Sequence, residues 1–226
     1  MTFRDFTIGE IADPDKVGVI RANAINGSSM SEPGGREELL EAAIALFAER
    51  GYVGTSIRDI ALAVNRSVSN VYHYFQNKES LWLAILEHSV KGLPERLRTA
   101  ANGPGEPLER FKQMIRVHLQ ASTRHFRESK IFSIEEERLS PEGKEVNRRV
   151  QLDILTIYVE QVRRLEALGI VHSKHIKILA FNILATINWY LRWYDPTGDM
   201  TETEVHDEII DFIVHGMCGP PQSRKK

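Results

Sequence analysis

Residues 55–75, TSIRDIALAVNRSVSNVYHYF, read as two short helices joined by a tight polar turn, the second ending in aromatics. Ile57, Ile60, Ala61 and Val64 fall at offsets 0, 3, 4 and 7, one face of a helix. Thr55 or Ser56 supplies a capping oxygen, and Asp59 places an acid near the positive helix end. Asn65-Arg66-Ser67 follows, and asparagine tolerates the left-handed backbone that a sharp turn demands. Ser67 then caps a second helix carrying Val68, Val71, Tyr72 and Phe75. Two helices joined by a turn of about 3–4 residues make a helix-turn-helix, whose second helix enters a DNA major groove N-terminus first.

That geometry sorts the polar residues by partner. Val68, Ser69 and Asn70 face base edges, where valine packs on a thymine methyl and asparagine pairs with adenine through two hydrogen bonds. Tyr72 and His73 lie further along, nearer phosphate oxygens. Asn77 caps a third helix with Lys78 in its first turn, and free amides beside a lysine bind phosphate. Arg58, Arg66 and Lys78 are set against Asp59 alone within residues 55–78, so positive charge is local to this unit.

A longer stretch, residues 36–85 (REELLEAAIALFAERGYVGTSIRDIALAVNRSVSNVYHYFQNKESLWLAI), resembles the N-terminal domain of the TetR family of bacterial transcriptional regulators. LFAERGYVGTS, IRDIA, YHYF and NKESL carry the resemblance, at the spacing the family shows. It implies phosphate contacts at Thr55, Ser56, Tyr72 and Lys78, and base reading by Ser67–His73. The chain departs from the family's usual Gly-Val-Ser turn by having Asn65-Arg66-Ser67. Arg66 stands where an apolar residue normally packs inward, so either it turns outward and gains a phosphate contact or the turn is shifted.

Charge and composition set bounds. Residues 36–88 hold five Arg/Lys (36, 50, 58, 66, 78) against seven Asp/Glu (37, 38, 41, 49, 59, 79, 87), which is no broad basic surface. Modest phosphate anchoring per copy follows, and a need for two copies. The whole chain has a net charge of −2 and is 42% hydrophobic, sufficient to bury one small and one larger domain. No apolar run approaches the roughly 18 residues of a membrane helix, and no signal peptide opens the chain, so the cytoplasm is the expected compartment. The single Cys218 excludes an internal disulfide framework.

The rest of the chain reads as all-α, without repeats. Residues 1–35, with three basic and five acidic side chains among Gly, Pro and Ser, have the composition of a disordered arm, with Arg21 its one candidate DNA contact. A helix spans Arg36–Arg50, and further helices are expected near 77–100 (bent or broken at Pro94), 106–124, 127–139, 142–168, 173–194 and 202–216. The expected organisation is an arm at 1–35, a three-helix helix-turn-helix domain at 36–80, a ligand-binding and dimerisation domain at 81–217, and a flexible tail at 218–226. The segment Ile176–Tyr194 is apolar almost all round, so it should be buried on more than one side. One side covers the chain's own core. The other pairs with a second copy, as in TetR-like dimers, or is buried within a single subunit.

A polar group inside an apolar helix suggests a pocket. Asn182 and Asn188 lie beside Trp189 and Trp193, and the candidate ligand contacts are Trp82, Leu86, Phe111, Ile115, His118, Phe132, Tyr158, Asn188 and Trp189, with ordinary core packing as the alternative for each. INWYLRWYDPTG (187–198), with FSIEEERLSPEGKEVNRRV (132–150) upstream, resembles a branch of the TetR family that often answers to acyl-CoA or other degradation intermediates. No P-loop, Gly-x-Ser-x-Gly or His-Glu-x-x-His occurs, no third ligand accompanies His172 and His175 or His118 and His125, and neither a cofactor, a metal nor an enzyme activity is expected. The expectation is a homodimeric repressor released from double-stranded operator DNA by a small-molecule effector, with no membrane partner. The competing expectation is a small-molecule-binding or protein-interaction module with a non-functional helix-turn-helix.

Overall fold

A computed structural model of the chain describes residues 35–124 and 139–218. Within them the backbone forms nine helices and no strand: α1 (Gly35–Arg50), α2 (Ile57–Ala63), α3 (Val68–Tyr74), α4 (Lys78–Val90), α5 (Leu93–Ala101), α6 (Pro107–Arg124), α7 (Pro141–Ala167), α8 (Ile176–Trp193) and α9 (Glu202–Cys218). The expected arm up to residue 34, the helix expected at 127–139 except for its last residue, and the tail from residue 219 lie outside the described residues, and with them Arg21, His125 and Phe132.

The expected helix 77–100 is two helices. α4 ends at Val90, Gly92 takes a left-handed φ of 70°, and Pro94 falls in the first turn of α5. Proline disfavours helical backbone in the residue before it but fits a first turn, so the chain breaks ahead of Pro94 rather than at it.

Two cores hold the molecule. The first gathers Leu39, Leu40 and Phe47 of α1, Ile60 of α2, Val71 of α3, Phe75, and Leu81, Trp82, Ile85 and Leu86 of α4, with Leu139 added from the approach to α7. It runs past residue 80 because the inward face of α4 closes the three short helices. The second joins α5 to α9 through Leu97, Phe111, Ile115, Tyr158, Val162, Ile187, Tyr190 and Ile209. Truncating one such side chain costs about 2–5 kcal/mol.

Polar groups fix the helices of the second core in register. Thr123 of α6 bonds the Tyr190 hydroxyl of α8, and His206 Nε2 of α9 lies 3.2 Å from both the Thr123 and the Tyr190 oxygens. Arg116 of α6 adds an ion pair of 2.6 Å with Asp207 of α9.

Besides the packing of Leu139 and Val150 on the first core, one carboxylate ties α4 to α7. Glu79 Oε1, in the first turn of α4, accepts hydrogen bonds from the Ser140 N–H (3.1 Å) and hydroxyl (2.7 Å), and Ser140 is the N-cap of α7. A negative charge at a helix N-terminus is favourable. Gly143 makes room for it, since a Cβ there would lie 2.0 Å from the same carboxylate oxygen.

Candidate nucleic-acid interface

The helix-turn-helix is built from its caps. Ser56 and Asp59 form a capping box: the Ser56 N–H donates to Asp59 Oδ2 (2.7 Å), and the Asp59 N–H donates to Ser56 Oγ (3.1 Å). Hydrogen bonds from Ser56 hold the Asp59 carboxyl below its usual range. Asn65 takes the left-handed conformation at φ 52° that the turn requires, as its residue type predicts. Ser67 then caps α3 by accepting from the Asn70 N–H at 3.2 Å. Each cap contributes about 1 kcal/mol, a large part of the stability of helices only seven residues long.

Val68, Ser69, Tyr72 and His73 are the exposed positions of α3, at offsets that share one face, and Arg58 of α2 is exposed as well. The opposite position, Val71, is fully buried. Tyr72 is 52% exposed although it is a large aromatic ring. That face carries a methyl surface, a hydroxyl, a phenol and an imidazole, the groups that meet base edges and phosphates.

Four expected contacts are placed differently. The Thr55 side chain is buried and directs its hydroxyl to the carbonyls of Leu46 (3.1 Å) and Gly51 (3.0 Å), so it locks the end of α1 instead of facing phosphate. Asn70 is half-buried and its Oδ1 is enclosed with no hydrogen-bond partner, so this rotamer does not present the two-bond edge that adenine needs. Lys78 donates to the Tyr52 carbonyl, and its ammonium lies 4.1 Å from the Tyr52 ring centroid. It therefore ties α4 to the α1–α2 turn. Arg66 is exposed, as one of its two expected placements required, but it pairs with Glu38 of α1 at 3.3 Å.

A second exposed surface has the opposite chemistry. On α8, Ala180, Ile183, Leu184, Ile187 and Tyr190 are buried, while Ile178, Asn182, Trp189 and Trp193 face outward along one stripe. Trp189 is 61% exposed, and Phe212 on the neighbouring α9 is 69% exposed. Two solvent-facing tryptophans and a phenylalanine form the kind of patch that marks an interaction site. Asn188 and Trp189, candidate ligand contacts by sequence, thus lie on the outside. The helix faces a core on one side only, and its other side, with Ile178, Trp189 and Trp193 among the polar Asn182, Asn188 and Arg192, is open in the single chain.

The remaining ligand candidates divide. Trp82 and Leu86 pack in the first core, away from the others. Phe111, Ile115, His118 and Tyr158 do come together in the second, where His118 Nδ1 lies 2.9 Å from the Tyr158 hydroxyl and the Phe111 and Tyr158 rings meet edge to face at 6.2 Å. Burial pushes the His118 imidazole down to about 4, which keeps it neutral near pH 7. Sequence reading missed the Glu79–Ser140 junction and the polar residues Arg110, Gln161 and Arg164. Gln161 had a readable signal, because it occupies the inward stripe of α7 with Ile154, Tyr158 and Leu165.

Comparison with known proteins finds the same two-part layout. A family model described as "Bacterial regulatory proteins, tetR family" matches residues 39–85, and one described as "Tetracyclin repressor-like, C-terminal domain" matches residues 104–217. The chain is similar to the HTH-type transcriptional repressor KstR2 of Mycobacterium tuberculosis, at 27% identity over 191 residues, covering 80% of this chain and 92% of that one. Among solved structures it is similar to the regulator PfmR of Thermus thermophilus, with a TM-score of 0.72, 26% identity, and 78% of this chain and 97% of that one covered. It is also similar to AibR, solved in complex with isovaleryl coenzyme A and operator DNA, with a TM-score of 0.70, 26% identity, and 83% and 100% covered.

Proposed function

The chain belongs to the TetR family of bacterial regulatory proteins, a DNA-binding transcriptional regulator, and from that premise we propose that two copies join through α8 and α9 to repress transcription from a two-fold operator. The observation that carries the reading is the pairing of two unlike exposed faces on one chain. The Val68–Ser69–Tyr72–His73 face of α3 has the width and the donors of a groove reader, and the Trp189–Trp193–Phe212 face has the apolar character of a self-association surface. A two-fold dimer sets its recognition helices for half-sites about 34–36 Å apart. The expected compartment is the cytoplasm, where such DNA is found.

The reading includes an effector. Helices α5–α9 form the effector domain, and an acyl-CoA is the effector class, in line with the INWYLRWYDPTG stretch and with the ligand in the AibR complex. A ligand that favours one arrangement of α6 and α7 acts on α4 through the Glu79–Ser140 contact, and so on the spacing of the two copies of α3. Repression then ends because the ligand binds better to the arrangement that fits the operator worse.

Fluorescence anisotropy with a labelled duplex from the promoter that the chain controls tests the reading. The full chain is expected to give a salt-sensitive, sequence-specific complex, lost in Tyr72→Ala and in Val68→Asp while the dimer persists, and weakened by isovaleryl coenzyme A. Specific binding that survives both substitutions would place the reading face elsewhere.

A further inference from the structure

We propose that the far end of the second core holds a separate site for a small organic carboxylate, built by Arg110, Gln161 and Arg164. A cleft of about 290 Å³ opens there between the C-terminal end of α5, the start of α6 and the C-terminal end of α7. Its polar lining consists of those three side chains, and Phe111, Leu165 and Leu168 are among its apolar walls. No described carboxylate lines it.

The three polar groups are not equally explained by the fold. Arg164 sits near the C-terminal end of α7, where a cation is favoured, and its guanidinium donates to Asn102 Oδ1 at 2.9 Å. Arg110 has no such account: its Nε is enclosed and lacks a hydrogen-bond partner. Gln161 is only 8% exposed and lines the cleft. An enclosed donor without a partner, as at Arg110 Nε, is costly. Two guanidinium groups and an amide beside one apolar pocket match a ligand with an anionic, planar head and a hydrocarbon body.

Size and polarity choose the ligand class. The cleft is at the small end of ligand pockets, too small for a whole acyl-CoA. A carboxylate brings one charge and two acceptor oxygens to the Arg110 fork and the Gln161 amide, and its short body fills the space against Phe111 and Leu168. A phosphate dianion would lose more hydration against those walls and gain nothing from them. The site does not depend on the regulator reading, although any effect on DNA would: α5 leads back through Gly92 to α4, so a ligand clamping α5 to α7 bears on the same helix as Glu79.

Isothermal titration calorimetry of the full chain tests the proposal, with hexanoate as probe and hexan-1-ol, inorganic phosphate and free coenzyme A as controls. Hexanoate is expected to bind saturably at one site, with hexan-1-ol at least about tenfold weaker. Arg110→Met should weaken hexanoate roughly 10- to 100-fold, the worth of a hydrogen bond to a charged group. Gln161→Glu, which places a like charge in the cleft, should abolish binding. Unchanged melting temperatures and unchanged operator affinity without ligand show that each variant is folded. The proposal is overturned if hexanoate gives no saturable heat, or if both variants titrate as the parent chain does. It is also overturned if phosphate or coenzyme A binds in an Arg110-dependent way and hexanoate does not. Failure of hexanoate with intact operator binding removes the cleft alone, whereas a ligand-free chain that ignores operator DNA removes the regulator reading and leaves the cleft standing.

Discussion

The outward faces of α3 and α8 are both exposed, and they are exposed for opposite reasons. On α3 the exposed side chains are short or polar, and the helix is held by a cap, a left-handed asparagine and one buried valine. On α8 the exposed side chains are large and apolar, over a helix already anchored by a full inward stripe. A polar face on a small rigid unit suits a highly hydrated partner, whose contacts exchange water for protein group by group. An apolar face on a well-anchored helix suits a partner that removes water from a continuous area. On the proposed function this is a division of labour: one surface is to read and the other to count copies, and neither suffices alone, because few cations of the reading unit stand uncommitted. Arg66 is paired with Glu38, and Lys78 is drawn against Tyr52.

The contrast is broken most strongly from the apolar side. Trp189→Glu combined with Phe212→Glu buries two unpaired charges in any assembly built on that face, at a cost of several kcal/mol. Sedimentation equilibrium should show self-association weakened at least about a hundredfold, with helix content retained because both side chains are exposed in the single chain. An unchanged dimer would move the interface to another surface.

From the polar side, Tyr72→Ala removes the exposed phenol that the proposed function sets against phosphate. A hydrogen bond to a charged group is worth about 1.5–3 kcal/mol, once per copy, so anisotropy should record a large loss of DNA affinity. Self-association should stay as in the parent chain. If the substitution instead weakens dimerisation, the two faces do not act separately.

The core between the faces has its own dependence on pH. His118 is buried with its imidazole pushed down to about 4, below the ordinary value of 6.5. The unfolded chain therefore takes up a proton that the folded chain refuses, and stability is lost as pH falls below about 6.5 and levels off below about 4. Between pH 7 and pH 5 this one group removes roughly 2 kcal/mol, read as a fall in melting temperature. His118→Gln should flatten that slope. A slope unchanged in the variant would assign the acid sensitivity to another group, such as His206, whose imidazole burial also pushes down.

The smallest effect concerns the cap of α3. Ser67→Ala should cost about 1 kcal/mol by removing the hydroxyl that accepts from the Asn70 N–H and leaving it only the Ser67 carbonyl at 3.0 Å, and Ser67→Gly only a few tenths. Hydrogen exchange at Asn70 and Val71 should rise before any global loss of structure. Equal effects of alanine and glycine would mean that the hydroxyl does something besides capping.

The sequence made the local features legible and left the side-chain destinations hidden. Asn65, Ser67 and Asn77 could be placed because turns and caps depend on neighbours within four residues. Thr55, Asn70 and Lys78 could not, because each is directed by a group met only after folding: the end of α1 for Thr55, the packed side of α3 for Asn70, and Tyr52 for Lys78. The same limit applies inside the cores. Trp82 and Phe111 look alike in helical periodicity, yet α4 packs on the short helices and α6 packs on α7, so they share no cavity. Ile176–Tyr194 was legible as more apolar than one core requires, but not that Trp189 and Trp193 both face outward. Only the register of Ala180, Ile183, Leu184 and Ile187 against the second core settles that Trp189 is outside.

Whether two copies of the α3 face read one two-fold site is decided by selection from a randomised duplex library with the full chain, followed by sequencing of the retained DNA. An inverted repeat is expected, with half-sites one helical turn or a multiple apart, recovered at moderate salt and lost with Tyr72→Ala. No enriched sequence, or an enriched single site without two-fold symmetry, would contradict a paired reader.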